Sequence, residues 1–315
     1  MTALRPGTTP LPPAAPDVRP GLPPAARAAR SAGPVVTELR LSAFASHRGT
    51  VLPIGPLTLL AGATGTGKSS ALRAYEALAR LGAGDPLAEV FPDPEAYVPE
   101  RAGADAQGRR GFRIGCTTDG PAGPVRLDLA VQAEPTLRIV GERLTGGGET
   151  LLTTALRDPG RSTVQAAWHT AGAVPVTRAP LPDDMLGTAL LPLRVAGTTE
   201  GQVRALVERD GGHRTPVGRL GDGELRYLAL ALVLLTGPGV LAMEAAGEVP
   251  SAMQTLTVLA DGLDRDLDGR QLRRLLALAA SIGAAGHLRL VGTITEAAAS
   301  EARGTAGVTV VDLDP

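Results

Sequence analysis

The chain has 315 residues, of which 43% are hydrophobic and 20% are charged, as is typical of a globular protein with one elaborated domain or two. Its net charge of −1 gives no long-range attraction for nucleic acid, and with 2% aromatic residues there are few rings to stack on bases, although a local basic patch stays open as an alternative. No apolar run reaches the roughly 18 residues of a membrane-spanning helix, and the start lacks the apolar core of a secretory signal, so we predict a cytoplasmic protein with no membrane partner.

The first part of the chain is predicted to be a tail. Residues 1–34 are dense in proline, alanine and arginine and show no periodicity, which is typical of disorder. The scarcity of lysine beside abundant alanine, glycine, arginine and proline indicates a GC-rich bacterial genome. Order is predicted to begin at Val35–Leu41, where Leu39 and Leu41 alternate with charged residues as in a strand with one wet face.

A phosphate-binding loop is predicted next. The run Leu57–Ala61 suits a buried strand, and the residues from Ser69 onward favour a helix. Between them the chain fits the pattern G-x-x-x-x-G-K-[ST] at every fixed position. The residues predicted to contact a nucleotide here are Gly62, Ala63, Thr64, Gly65, Thr66, Gly67, Lys68, Ser69 and Ser70.

Each residue type in this loop has a chemical reason. Glycines let successive N–H groups point at a polyphosphate, Lys68 supplies an ammonium for the β and γ phosphates, and the Ser69 hydroxyl supplies a ligand for Mg²⁺. Lys68 is also the only lysine among 31 lysine and arginine residues. The alternative is a glycine-rich turn that merely starts a helix. The polar turn 46–49 ahead of the loop is predicted to be a surface hairpin, with contact to the nucleotide base as its alternative.

The middle of the chain is predicted to be mostly β-structure. Residues 82–111 read as a long exposed loop, and 112–144 as an antiparallel β-arm inserted after the nucleotide-binding half. Cys116 lies in this alternating pattern and is predicted to be a core residue rather than a nucleophile. Residues 145–218 form a variable middle in which no spacing marks a metal or catalytic site.

A second motif begins the last part, 219–315. The segment Leu220–Leu235 reads as a glycine turn that opens onto an apolar helix ending at Gly237, so its N-terminus could face another anion. The run Val240–Glu244 is predicted to be a strand that brings Glu244 beside the magnesium. Further strands are predicted at His287–Thr293 and Gly307–Leu313, and helices at Met253–Leu263, Arg270–Ile282 and Glu296–Arg303. This alternation indicates an α/β fold with a mainly parallel sheet flanked by helices.

The order of these parts resembles the ABC-type ATPases of the SMC and RecF kind, particularly the small bacterial AAA-family ATP-binding proteins that share their core. The resemblance implies one P-loop NTPase domain over 35–315 that binds ATP and Mg²⁺, with Ser69 and Glu244, the Walker B acid, as metal ligands. It also implies a homodimer in which the signature loop of one subunit closes on the nucleotide of the other. That loop would consist of Leu220, Gly221, Asp222, Gly223 and Glu224.

The chain departs from this family where catalysis is concerned. Where the family has the signature serine, this chain has Gly221. Ala245 replaces the second carboxylate, which polarises water in the family, and Ile294 replaces a histidine. Glu248 is the nearest candidate to replace the missing carboxylate, so the catalytic set is Lys68, Glu244 and Glu248. We therefore predict a slow Mg²⁺-dependent ATP hydrolase. The alternatives are an ATP-gated module that binds an unidentified protein partner without hydrolysis and, more remotely, a kinase.

Overall fold

The computed structural model describes residues 34–120, 123–154, 176–179, 193–195, 205–208, 213–243, 255–284, 286 and 288–313. Its strands are β1 (Val35–Ser42), β2 (Thr50–Pro53), β3 (Leu57–Ala61), β4 (Arg110–Asp119), β5 (Val125–Glu134), β6 (Arg138–Gly146), β7 (Glu149–Thr154), β8 (Val176–Ala179), β9 (Leu193–Val195), β10 (Ala205–Glu208), β11 (Arg214–Pro216), β12 (Leu256–Ala260), β13 (Leu288–Thr293) and β14 (Thr309–Asp312). Its α-helices are α1 (Lys68–Ala83), α2 (Leu87–Val90), α3 (Asp222–Met243), α4 (Gly269–Gly283) and α5 (Glu296–Arg303).

A parallel sheet carries the predicted nucleotide-binding half. Its strand order is β14-β3-β13-β12-β8, and each neighbouring pair is parallel. Every residue of β3, β12 and β13 is buried, because helices cover both faces. Leu60 packs with α1 on one face, whereas Leu57 and Leu59 pack with α3, α4 and α5 on the other. The α/β fold with a mainly parallel sheet is therefore as predicted.

The second large sheet is antiparallel, with the order β2-β1-β4-β5-β6-β7. The alternating strands predicted within 112–144 are present, and β7 extends the meander. These strands are consistent with the predicted β-arm, and β4 also pairs with β1 over a register that includes Leu41 opposite Ile114. The buried face of this sheet packs on α1, which thus lies between the two large sheets. The remaining strands form the small sheet β11-β10-β9.

Two predicted elements near the second motif are wrong. Residues 240–243 are the last turn of α3 rather than a strand, so the helix also continues past Gly237. The predicted helix Met253–Leu263 instead contains the buried strand β12. Both errors have one cause, since a short continuous apolar run fits a buried helix and a buried strand equally well.

Residues 82–111 are also more ordered than predicted. They contain α2 and a 3₁₀-helix at Pro94–Tyr97, and they add Phe91 to the core. Phe91 packs edge-on against Tyr97 and Phe112, with ring centroids 5.2 and 5.1 Å away. The segment is therefore anchored by aromatic contacts to the antiparallel sheet.

Some predictions fall on other parts of the chain. The tail 1–34, apart from Pro34, and most of the middle 145–218 lie outside the described residues, and the division of the chain into these regions stays a prediction. Cys116 is 1% exposed, which confirms its prediction as a core residue, and burial raises the pKa of its thiol to about 12. Within the described ranges, each helix is too short or too polar to cross a membrane.

Candidate nucleotide-binding site

The predicted loop connects the buried strand β3 to α1, and its shape depends on glycine. Gly67 has φ +93° and directly precedes the helix, while Gly62 has φ +147°. A Cβ on Gly62 would lie 2.7 Å from the backbone oxygen of Leu313, and one on Gly67 would lie 2.3 Å from the Ser46 hydroxyl. The fixed glycines of the motif therefore meet both a conformational and a steric need.

Lys68 begins α1 and folds back over the loop. Its Nζ donates hydrogen bonds to the carbonyl oxygens of Gly62 and Ala63, both at 2.7 Å. The hydroxyl of Thr66 donates to Ala63 as well, at 3.0 Å, which closes the turn. The ammonium thus lies on the same side as the loop backbone, where helix N–H groups are free to meet an anion.

Ser69 contacts an acid that the sequence analysis did not single out. Its Oγ donates a 2.9 Å hydrogen bond to Oδ1 of Asp261, the first residue after β12. Both groups lie at the carboxyl edge of the parallel sheet, where ligands bind in open α/β folds. Hydroxyl and carboxylate oxygens are hard ligands that suit Mg²⁺. Ser69 and Asp261 are thus the pair that the described residues bring together at this edge.

Thr293, at the end of β13, fixes that carboxylate. Its Oγ1 donates to Asp261 Oδ1 at 2.7 Å and accepts from the backbone N–H of Gly262, also at 2.7 Å. The side chain is buried at 2% exposure. One hydroxyl therefore ties together the ends of β12 and β13 beside the loop.

The start of α3 reaches the same region. Arg226 donates from Nη2 to the carbonyl oxygens of Asp261 and Gly262, at 3.0 and 3.1 Å. Burial, and next the nearby Arg265, lower the pKa of this guanidinium. A Cβ on Gly223 would lie 1.9 Å from the carbonyl oxygen of Asp266, so the helix start packs closely on the turn after β12.

The residues of the predicted signature loop differ in their exposure. Leu220 is buried, whereas Gly221 and Asp222 are exposed, and the Gly221 N–H donates to Glu224 at 3.4 Å across the first turn. Ile294 is 1% exposed and donates its backbone N–H to Leu60 at 2.9 Å. Ile294 therefore directly follows β13, and the predicted signature loop adjoins the turn after β12 through Gly223.

Glu244 and Glu248 lie outside the described residues. The strand that supported the prediction for Glu244 is helical, as noted above. Asp261 was missed because its strand was interpreted as a helix; an acid directly after a buried strand is the signal that could have found it. Among the described residues, histidine, cysteine and carboxylate side chains form no metal-binding group of three or more.

No family model matches the chain, and no curated protein matches its sequence. Several solved structures are similar in shape. The SMC head domain from Thermotoga maritima has a TM-score of 0.47 and 13% identity, covering 88% of this chain and 94% of that chain. An Smc head domain bound to the C-terminal domain of ScpA, derived from Pyrococcus furiosus, has a TM-score of 0.46 and 10% identity, covering 85% of this chain and 92% of that chain. The recombination mediator protein RecF with ATP has a TM-score of 0.44 and 11% identity, covering 84% of this chain and 94% of that chain.

Strand order and loop geometry define the class of this domain without those likenesses. A glycine loop joins a central parallel strand to a helix, and the serine of the loop meets an acid at the end of another strand of the same sheet. The described part of the chain is therefore an α/β fold with a P-loop.

Proposed function

We propose that the chain binds ATP with Mg²⁺ at the P-loop and hydrolyses it slowly, as a nucleotide-gated protein of the ABC type. The observation that carries the proposal is the hydrogen bond between Ser69 and Asp261, because it joins the loop to an acid across the carboxyl edge of the sheet. A glycine turn that merely starts a helix has no need of such an acid. A cytoplasmic location stays a prediction.

The phosphates would be held by the loop itself. The N–H groups of the loop and of the first turn of α1 would donate to phosphate oxygens, and the Lys68 ammonium would exchange its carbonyl contacts for the β and γ phosphates. Ser69 and Asp261 would hold the Mg²⁺, which would supply positive charge to the phosphates. Thr293 would keep the Asp261 carboxylate in place for that ion.

Hydrolysis would be slow because no described side chain is placed to orient the attacking water as a general base. Water adds to the γ-phosphorus while the bond to the β–γ bridging oxygen breaks, which yields ADP and inorganic phosphate. The residue after Asp261 is Gly262, which has no side chain to orient that water. Asp264 is nearby, but its carboxylate accepts hydrogen bonds from the N–H and hydroxyl of Thr295. Glu248 stays the other candidate for this role.

The absence of a side chain at Gly262 also favours a second function, that of an ATP-gated module without ATP hydrolysis. In both versions Leu220–Glu224 would close on the nucleotide of a partner subunit, and Arg226 would link that movement to the loop after β12. ATP should then shift the protein from monomer to dimer in size-exclusion chromatography with light scattering. An unchanged mass with and without ATP would count against the dimer.

The test of the main proposal measures ATP affinity and steady-state phosphate release in parallel. Lys68→Ala should abolish ATP binding. Asp261→Asn should reduce the gain in ATP affinity that Mg²⁺ gives, and it should suppress phosphate release. Asp85→Asn is the matched control, since Asp85 follows the far end of α1 and pairs with Arg80. Binding without release would favour the ATP-gated module, whereas no binding by the unaltered protein would refute both functions.

A further inference from the structure

The turn between β1 and β2 packs against the last residue of the P-loop. A Cβ on Gly67 would lie 2.3 Å from the Ser46 hydroxyl and 2.6 Å from Nε2 of His47. Ser46 and His47 thus leave room only for a glycine at this point of the loop. The hairpin between the first two strands is therefore part of the wall of the nucleotide-binding site.

His47 makes the polar contact across this wall. Its Nε2 lies 3.0 Å from the carbonyl oxygen of Gly67, and its Nδ1 lies 3.1 Å from Oγ1 of Thr50. Because a carbonyl can only accept, Nε2 carries the proton and donates it. Nδ1 of the neutral ring then accepts from the Thr50 hydroxyl. His47 is 3% exposed, and its two hydrogen bonds fix the tautomer and the orientation of the ring.

The turn that holds this ring is itself anchored. The backbones of Phe44 and His47 exchange two hydrogen bonds, at 3.0 and 2.8 Å, and the Ala45 N–H donates to Tyr97 at 2.6 Å. The Phe44 ring is fully buried and stacks on Tyr97 with centroids 5.2 Å apart. His47 is thus held by the antiparallel sheet and its aromatic cluster, not by the P-loop it contacts.

The Gly67 carbonyl has a second partner that gives the contact its consequence. It also accepts from the Ala71 N–H at 2.9 Å, the first hydrogen bond of α1. In a trans peptide the carbonyl and the next N–H point in opposite directions. Holding the Gly67 oxygen toward His47 and Ala71 therefore turns the Lys68 N–H toward the loop, where it is free to meet a phosphate.

We propose that His47 is a positioning residue of the nucleotide-binding site, which fixes the Gly67–Lys68 peptide through its Nε2–H. The proposal rests on the proposed nucleotide binding and adds a route from the antiparallel sheet to the phosphates. The sequence predicts a surface hairpin at this turn, with a contact to the base as the alternative. The buried ring instead acts on the backbone of the P-loop.

The test compares variants of His47 in binding a fluorescent ATP analogue with Mg²⁺. His47→Ala should weaken binding about three- to tenfold, the effect of one lost buried hydrogen bond. His47→Gln offers a side-chain N–H that can reach the same carbonyl, and it should restore affinity to within about twofold. Asp85→Asn is the control, because Asp85 pairs with Arg80 beyond the far end of α1.

The outcomes separate this proposal from the function it rests on. If the unaltered protein binds and Lys68→Ala does not, equal affinity of His47→Ala and the unaltered protein overturns the positioning role alone. No binding by the unaltered protein overturns both. Proton–nitrogen NMR of the His47 ring tests the contact even if His47→Ala fails to fold. We expect the Nε2–H tautomer, and an Nδ1–H tautomer would overturn the proposal.

Discussion

Replacing Thr293 by valine is the most direct test of how Asp261, the proposed Mg²⁺ ligand, is held. Valine has nearly the same shape, so the exchange removes the hydroxyl without opening a cavity. It deletes the hydrogen bond donated to Asp261 and the one accepted from Gly262, each 2.7 Å long. Among the described residues, Ser69 would then be the remaining hydrogen-bond partner of Asp261 Oδ1.

The size of the effect follows from these two contacts. A buried hydrogen bond contributes about 1 kcal/mol, and more when its partner is charged, so the free energy of unfolding should fall by about 2–3 kcal/mol. For a chain of this size that corresponds to a fall in Tm of roughly 3–5 °C. Loss of a partner that orients a metal ligand typically costs about 10–100-fold in metal affinity, so the Mg²⁺ needed for half-saturation should rise at least about tenfold.

The assay titrates Mg²⁺ at fixed protein and fluorescent ATP analogue, below the Tm of each variant. Thr257→Val is the matched control, since Thr257 is another buried threonine of this sheet, 1% exposed, whose hydroxyl meets Tyr75 instead of the site. It should lower the Tm without moving the Mg²⁺ midpoint. Equal Mg²⁺ midpoints for Thr293→Val and the unaltered protein would refute the role assigned to Thr293.

Four further predictions follow from single contacts. Gly67→Ala should abolish ATP binding measured by calorimetry, because the added Cβ would clash with the β1–β2 turn. Gly84 also has a positive φ, of 103°, but has open space around it, so Gly84→Ala should leave ATP binding unchanged. Arg226→Met should lower the free energy of urea unfolding by about 1–3 kcal/mol, since two carbonyls after β12 lose their donor. Burial lowers the pKa of His47 below its usual 6.5, so on acidification the unfolded chain binds a proton at a higher pH than the folded chain does. The free energy of unfolding should therefore decrease as the pH drops below about 6.5, and this decrease should be smaller in His47→Gln. Cys116, buried with a pKa of about 12, should react with a thiol reagent only after unfolding.

The sequence predicted those features that depend on neighbours along the chain. The P-loop was found because glycine spacing, a buried strand and a helix start fall within one short stretch. The alternating strands β4 to β6 and the amphipathic helices α4 and α5 were found from their periodicity. Where both faces of an element are buried, the periodicity disappears, and β12 was therefore mistaken for a helix.

The parts of the site that the sequence did not predict come from distant segments. Asp261 meets Ser69, and His47 meets Gly67, only because the strands pair in one particular order. No local pattern encodes that order. The strand predicted before Glu244 is wrong for a related reason, since an acid after an apolar run identifies a site only when the run is a strand of the correct sheet; Glu244 itself lies outside the described residues.

The position of β3 between β13 and β14 has a consequence for how the protein is made. A ribosome releases the P-loop and its apolar strand long before either neighbouring strand exists. The antiparallel sheet, by contrast, draws its strands from the first half of the chain and can form early. During synthesis β3 must therefore be shielded by that sheet, α1 or a chaperone until the last strands arrive. A translation product that stops short of β13 carries the complete P-loop motif without the neighbouring strand that the proposed nucleotide site depends on.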